Sequence, residues 1–281
     1  MFTNDEINSI ISDIKNVSTA FKISVLLILS LIFWSFLIEP NLLIMKNISI
    51  KNEDLKGLKI TVASDFHLKK HDSKRLKKII KKINKTDSDL VLLLGDYVDG
   101  TVEFKTLPLK EITENLKNIK SKNGIYAVLG NHDIWLDENE LTKCLKNANI
   151  TVLNNANRIL TINEKTLTLA GTNDYTEGKA DISKALNNAK KPIILMTHNP
   201  DIFEQFVPDS VDLTISGHTH GGQIVIPFVG ALIVPSDYGN KYANGLISDN
   251  NKKIYVTKGL GTTILPVRFN CLPEIVTIIF E

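Results

Sequence analysis

Arginine is scarce in this chain: Arg75, Arg158 and Arg268 are the only three among 33 basic residues. Guanidinium forks that grip phosphate with two parallel bonds are correspondingly few. Cysteine is scarcer still. Cys144 reads as a buried helix position and Cys271 as a loop residue, and neither has metal or redox spacing, so they do not fix the compartment. Charge of one sign is lacking too, because 31 acidic residues are interspersed with the basic ones and leave a net charge of +2. No long-range field steers nucleic acid to such a surface, and no nucleic-acid partner is expected. Internal repeats and low-complexity tracts are absent.

What is present begins with an N-terminal unit, residues 1–45, distinct from the remainder, 46–281. Ile7, Ile10, Ile11, Ile14, Val17 and Phe21 recur at helical spacing, which predicts an amphipathic helix capped by Thr3 or Asn4. Residues 23–38 then carry no charge, and Lys22 and Glu39 bracket them. As a helix that run measures about 24 Å, somewhat short of a bilayer core. Trp34 and Phe36 lie near one end, where interfacial aromatics belong. A cleaved secretory signal is disfavoured, because the leader is acidic as well as basic and Glu39-Pro40-Asn41 is no small-residue cleavage site. A buried core helix is the plainer alternative; a retained membrane anchor, spanning or lying in one leaflet, is the expectation adopted. Lysines flank the run too evenly for the positive-inside rule to set orientation, with a lean to the cytoplasmic face.

From residue 58 onward strands and helices alternate. Apolar runs at 58–64, 90–94, 125–129, 192–197 and 211–215 read as buried strands, and helical spacing recurs at 73–84, 111–120, 138–148 and 181–189. After residue 222 the chain turns strand-rich, at 223–226, 245–248, 254–257 and 274–280. A βα-rich first half and a strand-rich second half predict two packed mixed sheets flanked by helices, a four-layer αββα sandwich.

Histidine is distributed unevenly across this pattern. Five of the six fall in short clusters just after predicted strands, at His67, His132, His198, His218 and His220; His71 stands apart. The densest cluster, Ser216-Gly217-His218-Thr219-His220-Gly221-Gly222-Gln223, places glycines around two imidazoles, as in a tight turn that aims both rings at one point. Polar residues at strand C-terminal ends are where open α/β sheets hold ligands. Asp65, His67, Asp96, Asn131, His198, His218 and His220 together offer carboxylate, imidazole and carboxamide donors, a set suited to Mn²⁺, Fe²⁺ or Zn²⁺. Seven ligands exceed what one ion with an open position needs and match two ions sharing a carboxylate. Two dications against two aspartates leave a net positive site, which suits an anionic phosphate ester.

Asp65-Phe66-His67, Gly95-Asp96-Tyr97-Val98-Asp99, Gly130-Asn131-His132-Asp133, His198 and Gly217-His218-Thr219-His220 resemble, in order, the five signature blocks of calcineurin-like metallophosphoesterases. The resemblance runs from about residue 58 to the C-terminus. It implies that Asp65, His67 and His220 hold one divalent ion, that Asn131, His198 and His218 hold a second, and that Asp96 touches both. It further implies attack on phosphorus by a water whose pKa the ions lower towards 7. His132 would stabilise the developing charge or protonate the leaving oxygen, and Asp99 would set its tautomer. The plainer readings of these two are a turn residue and a helix cap.

Protein phosphatases of this superfamily carry an arginine directly after the second aspartate of the second block, where this chain has Gly100. Phosphoprotein substrates are therefore not expected. The anchor, Gly221-Gly222-Gln223 and the tail from Gly259 to Asn270 resemble the membrane-attached bacterial subgroup, some members of which cleave the pyrophosphate of UDP-2,3-diacylglucosamine. Arg268 is a candidate contact for substrate phosphate. Hydrolysis of a phosphodiester or pyrophosphate, lipid-linked by preference, is the leading expectation. A broad phosphodiesterase or phosphatase, a nuclease, and a membrane-tethered scaffold that keeps only the fold stay as alternatives. Oligomeric state is not readable.

Overall fold

A computed structural model describes residues 4–100 and 106–281. The side chains of residues 4, 6–8 and 10–17 lie outside the described set, and so do the expected Thr3 cap and the stripe at Ile7, Ile10, Ile11, Ile14 and Val17. Helix α1 (Asn4–Phe33) passes into a π-helical turn, Trp34–Ile38, and a 3₁₀ turn, Glu39–Asn41. Pro40, which has no N–H to donate, sits in that last turn. Ser18–Asn41, 24 residues, is long and apolar enough to cross a bilayer. At 1.5 Å per residue it measures about 36 Å against a hydrocarbon core of about 30 Å. The sixteen uncharged residues therefore understate the helix, which continues through both bracketing polar ends. Phe21, Leu26, Leu27 and Leu29 are all more than half exposed.

The chain then runs β1 (Ile44–Ile50), β2 (Lys59–Ala63), α2 (Ser73–Asn84), β3 (Leu90–Leu93), α3 (Leu109–Leu116), β4 (Ile125–Ala127), α4 (Asn131–Asn147) and β5 (Thr151–Val152). It continues with β6 (Ala156–Ile162), β7 (Lys165–Gly171), α5 (Ile182–Ala185), β8 (Ile193–Met196), α6 (Ile202–Phe206) and β9 (Leu213–Ser216). Short strands β10 (Val225–Ile226) and β11 (Gly230–Ala231) form a hairpin, and β12 (Gly245–Asp249), β13 (Lys252–Val256) and β14 (Glu274–Phe280) complete the fold.

Two six-stranded mixed sheets result, ordered β1-β14-β2-β3-β4-β5 and β12-β13-β9-β8-β7-β6. Alternate residues of their strands explain the layers. Ile60 and Val62, Leu90 and Leu92, Leu167 and Leu169, Ile194 and Met196, Leu213 and Ile215 meet in one apolar seam between the sheets. The opposite face of the first sheet (Ala63, Val91, Leu93, Ala127) packs on Leu76, Ile79 and Ile83 of α2 and on Ile112, Leu141 and Leu145 beyond. Ala170, Ile193 and Leu195 of the second sheet meet Phe203 of α6 in a third cluster. Burying one such leucine or isoleucine stabilises the fold by about 1.5–3 kcal/mol. The arrangement is the αββα sandwich expected, with β1 as an additional strand parallel to β14.

Three helices differ from their expected spans, α3 by ending at Leu116 and not at residue 120. Extended backbone at Asp137 divides α4, and the Asp137 carboxylate caps the second half by accepting from the Asn139 and Glu140 amides at 2.9 and 3.0 Å. Helix α5 is a single turn, started by Asp181, which accepts from the Lys184 amide, and followed closely by Asn188 in left-handed backbone.

Candidate metal centre

Strands β2, β3 and β4 are parallel neighbours, and so are β7, β8 and β9, so the loops leaving their C-terminal ends gather at one edge of each sheet. Asp65 and His67 leave β2, Asp96 leaves β3, Asn131 and His132 follow β4, His198 follows β8, and His218 and His220 follow β9. Short polar bonds lock these loops across the sandwich. The His218 amide donates to Asp65 Oδ1 at 3.0 Å, and the His132 amide donates to Asp96 Oδ1 at 3.0 Å. Asp65, His67, Asp96, His218 and His220 all adopt positive φ, between 41° and 72°. Left-handed backbone costs a non-glycine residue of order 1–3 kcal/mol and concentrates at functional sites.

The donors converge. Asp96 Oδ2 lies 3.4 Å from His67 Nε2 and 3.2 Å from His198 Nε2. His67 Nε2 and His220 Nε2 are 3.0 Å apart, His220 Nε2 is 3.8 Å from Asp65 Oδ1, and His218 Nδ1 is 3.2 Å from His198 Nε2. His198 donates its Nδ1 proton to the Leu94 carbonyl at 2.7 Å, which turns Nε2 into the cluster. Asp65, His67 and His220 form one group of donor atoms within 4.8 Å of one another; Asp96, His198 and His218 form another; His67, Asp96 and His132 link them.

This set fits a divalent cation. Asp65 Oδ2 and Asn131 Oδ1 are buried oxygens with no hydrogen-bond partner in the protein. An acceptor left so costs about 1–3 kcal/mol, which a cation removes. Glycine keeps the space clear: a Cβ on Gly130 would stand 2.2 Å from Asp96 Oδ1 and 2.8 Å from the His198 ring.

Burial dominates the titration of the cluster. It pushes His67 down to about 3 and His218 down to about 4, and it drives His220 well below the ordinary imidazole value. It also raises Asp65 to about 6, with the Asp96 charge adding and His198 opposing. For Asp96 burial works towards the neutral form, yet His198, by charge and hydrogen bond, holds the carboxyl below the usual range, and His198 is raised in turn. Neutral imidazoles with free lone pairs are the form that binds metal.

His132 is nine-tenths buried beside the cluster, its ring centroid 4.6 Å from that of His67 and 4.5 Å from that of the half-exposed Trp135. Its Nδ1 meets the main-chain carbonyl of Asp99, while the Asp99 carboxylate stands 4.0 Å away. A carbonyl accepts only from N–H, so this contact holds the Nδ1 proton in place and leaves Nε2 for the site. Arg268 is elsewhere. It is fully buried, and Nε, Nη1 and Nη2 donate to the carbonyls of Gly261 (3.0 Å), Cys271 (3.0 Å) and Lys258 (2.8 Å). A guanidinium so spent has no donor to offer a substrate, which corrects the expectation of a phosphate contact; its role is to staple the C-terminal loop behind the site.

Sequence reasoning left Asp133 and Asp174 without roles. The buried Asp133 carboxylate accepts from the amides of Asp96 (2.7 Å), Tyr97 (2.8 Å) and Gly130 (2.9 Å), tying two ligand loops together. Its position, third residue of a helix capped at Gly130, is the capping-box signal that could have shown it. Asp174 is fully buried, and its charge helps to raise His198. No motif marks it.

A mixed α/β sandwich with His/Asp clusters at the strand ends is a metal-binding hydrolase scaffold. The family model for calcineurin-like phosphoesterases matches residues 58–222, and the chain belongs to that family. It is 32% identical over 251 residues to the uncharacterized metallophosphoesterase YkuE of Bacillus subtilis (strain 168), with 85% of each chain covered. To phosphodiesterase YaeI of Escherichia coli (strain K12) it is 34% identical over 192 residues, covering 66% of this chain and 68% of that one. Among solved structures, a novel archaeal phosphodiesterase matches at 15% identity and a TM-score of 0.40, over 72% of this chain and 84% of that one. The protein is a metal-dependent phosphoester hydrolase.

Proposed function

We propose that the protein is a dinuclear phosphodiesterase, with residues 1–45 as its membrane anchor and 46–281 as the catalytic domain. The observation that carries the two-ion reading is Asp96 Oδ2, within 3.4 Å of an imidazole from each half of the cluster. Asp65, His67 and His220 would hold one cation, and Asn131, His198 and His218 the other, with Asp96 common to both. Bound there, the two cations would lower the pKa of a water and neutralise charge on the phosphoryl oxygens. His132, with Nδ1 fixed on the Asp99 carbonyl, stands beside the cluster; carrying a second proton on Nε2, it would stabilise the leaving oxygen or hand that proton to it.

A diester or pyrophosphate is favoured over a phosphoprotein. A Cβ at Gly100 would sit 2.1 Å from the His132 carbonyl, so this backbone has no room for the arginine that protein phosphatases carry there. The name of the Escherichia coli relative points the same way. The apolar helix supports a lipid-linked substrate, for which UDP-2,3-diacylglucosamine is the specific candidate, and a lean to the cytoplasmic face.

The test is turnover of bis-p-nitrophenyl phosphate, p-nitrophenyl phosphate and UDP-2,3-diacylglucosamine by chelated protein resupplied with Mn²⁺, Fe²⁺ or Zn²⁺. Diester and lipid-linked pyrophosphate should both turn over. Cleavage of the monoester alone would sink the proposal.

A further inference from the structure

Two loops leave the metal site and end in bare apolar tips. One starts beside His220, forms the β10–β11 hairpin and carries Phe228 and Val229 at its turn, with Ile233 just after it. The other starts at Gly261, where a Cβ would stand 3.0 Å from His67 Cβ, and reaches Ile264 and Leu265. Phe228 is fully exposed, Ile264 is 96% exposed and Ile233 78%. Phe228 and Ile264 also hold positive φ, +67° and +60°. Bulky and β-branched side chains resist that backbone, and the chain here uses it to turn apolar groups outward.

The two tips are joined at their bases, and the same base is joined to the end of the apolar helix. Gln223 exchanges two hydrogen bonds with the Thr263 main chain, at 2.9 and 3.0 Å, and the Phe269 amide donates to the Gln223 carbonyl at 2.9 Å. One residue before Phe269, the Arg268 amide donates to the Ser35 carbonyl at 2.9 Å. The buried Glu39 carboxylate closes the junction, accepting from Trp34 Nε1 at 2.8 Å and from the Cys271 amide at 2.5 Å. The Cys271 thiol in turn donates to the His220 carbonyl at 3.3 Å. The helix end is thus bolted to the loops of the metal site with no free linker between them.

We infer that the tips at Phe228-Val229 and Ile264-Leu265 dip into the head-group layer of the bilayer that α1 enters, so that the catalytic domain lies on the membrane at the rim of its metal site. The inference rests on the proposed anchor. Lipid is the occupant because the hairpin meets the end of an apolar, exposed helix: Pro227, next to Phe228, and the half-exposed Trp34 line one hollow. A domain docked in this way meets phosphoesters at head-group depth, where a domain on a flexible tether would sample solution.

An environment-sensitive fluorophore on single introduced cysteines tests this in the full chain, since Cys144 and Cys271 are buried. The chain is reconstituted in vesicles of phosphatidylethanolamine and phosphatidylglycerol and labelled in Leu29→Cys, Phe228→Cys, Ile264→Cys and Lys77→Cys variants. The label at 29 should report hydrocarbon, those at 228 and 264 the interface, and that at 77, on the exposed face of α2, water. Water at 29 would remove the anchor itself. Lipid at 29 with water at 228 and 264 would leave the anchor and overturn the docking. Shielding at 228 and 264 in lipid-free detergent, with a doubled particle mass, would assign the face to a second copy and also overturn it. In addition, Phe228→Asp with Ile264→Asp should slow an alkyl-chain nitrophenyl phosphodiester embedded in these vesicles about tenfold and leave soluble bis-p-nitrophenyl phosphate unchanged. Equal loss on both substrates would place the tips in the soluble reaction and defeat the inference.

Discussion

Helix α1 and the metal centre invert the ordinary polarity of a folded chain in opposite senses. The helix exposes Leu26, Leu27 and Leu29, residues that folded proteins bury. The centre buries Asp65, His67, Asp96 and His198 to 1% exposure or less, residues that folded proteins leave in water or pair. On the proposed reading, each inversion is relieved by a component the polypeptide does not supply, an apolar phase for one and cations for the other. The difference lies in how the chain prepares for the missing component. The centre is pre-built, with five of the seven proposed ligands in strained backbone and neighbouring amides pinned by Asp133. The helix needs no such preparation, because a bilayer recognises no geometry beyond length and apolarity.

The comparison breaks first, and hardest, at Asp96. Asp96→Ala deletes the group that both halves of the cluster share. Charge stabilisation of several kcal/mol is at stake, so turnover of bis-p-nitrophenyl phosphate should fall about a thousandfold or more. Metal analysis of the variant should show loss of both ions, whereas His132→Ala should keep its metal and lose about a hundredfold in rate. A variant at 96 that retains two ions would disprove the shared-ligand reading. Asp133→Asn comes next. It keeps the shape but turns an N–H₂ towards an amide donor, and groups that orient ligands in this way are worth about 10–100-fold in metal affinity or activity. The melting temperature should fall with it; an unchanged metal titration would show that the amide clamp is dispensable.

Acid sensitivity is a smaller effect, and it is read in chelated protein. His67 near 3 and His218 near 4 lie below the ordinary imidazole value of 6.5, as does His220. For a group depressed on folding, the unfolded chain takes up the proton first, so stability is whole above about 6.5 and declines as pH falls towards 4. Asp65, raised to about 6, has the opposite sign: its contribution is present below its ordinary value of 3.8 and is lost as pH rises through 6. Asp133, raised by burial to about 8, shares that sign and opposes the decline across the whole window, because only its unfolded carboxyl is ionised there, while His198, raised, changes little below 6.5. The three depressed imidazoles outnumber the two opposing carboxyls, so thermal stability should drop modestly from pH 6.5 to 4, and His218→Gln should flatten the drop. A slope indifferent to that substitution would mean that His218 is charged in the folded chain.

How much of this was legible in the sequence follows the same division. Unbroken apolar runs exposed the seam strands, because a strand covered on both faces is apolar at every position, as at 90–94, and helical spacing exposed α2 through Leu76, Ile79, Ile80 and Ile83. The side chains that converge could be picked out because each closely follows a strand. β1 escaped notice: its exposure alternates only weakly and its partner β14 lies more than two hundred residues away, so no local signal announces the pairing. Arg268 misled for a related reason. Scarcity made it conspicuous, but only the folded loop shows that carbonyls of residues 258, 261 and 271 surround its guanidinium. Roles that depend on main-chain partners, such as those of Asp133, Glu39 and the Asp99 carbonyl, are largely invisible to residue type.

The mildest perturbation of catalysis sharpens the contrast most. Leu29→Arg places a charge near the middle of the apolar helix, where insertion costs about 2.5–3.5 kcal/mol. Membrane association, followed by flotation with vesicles, should fall strongly. Turnover of soluble bis-p-nitrophenyl phosphate should not change, because the bonds that fix the metal loops begin only at Ser35 and Glu39, beyond the substituted turn. Equal loss of flotation and soluble turnover would show that α1 supports the catalytic fold directly, and the two inversions would then be one structure with a single missing partner.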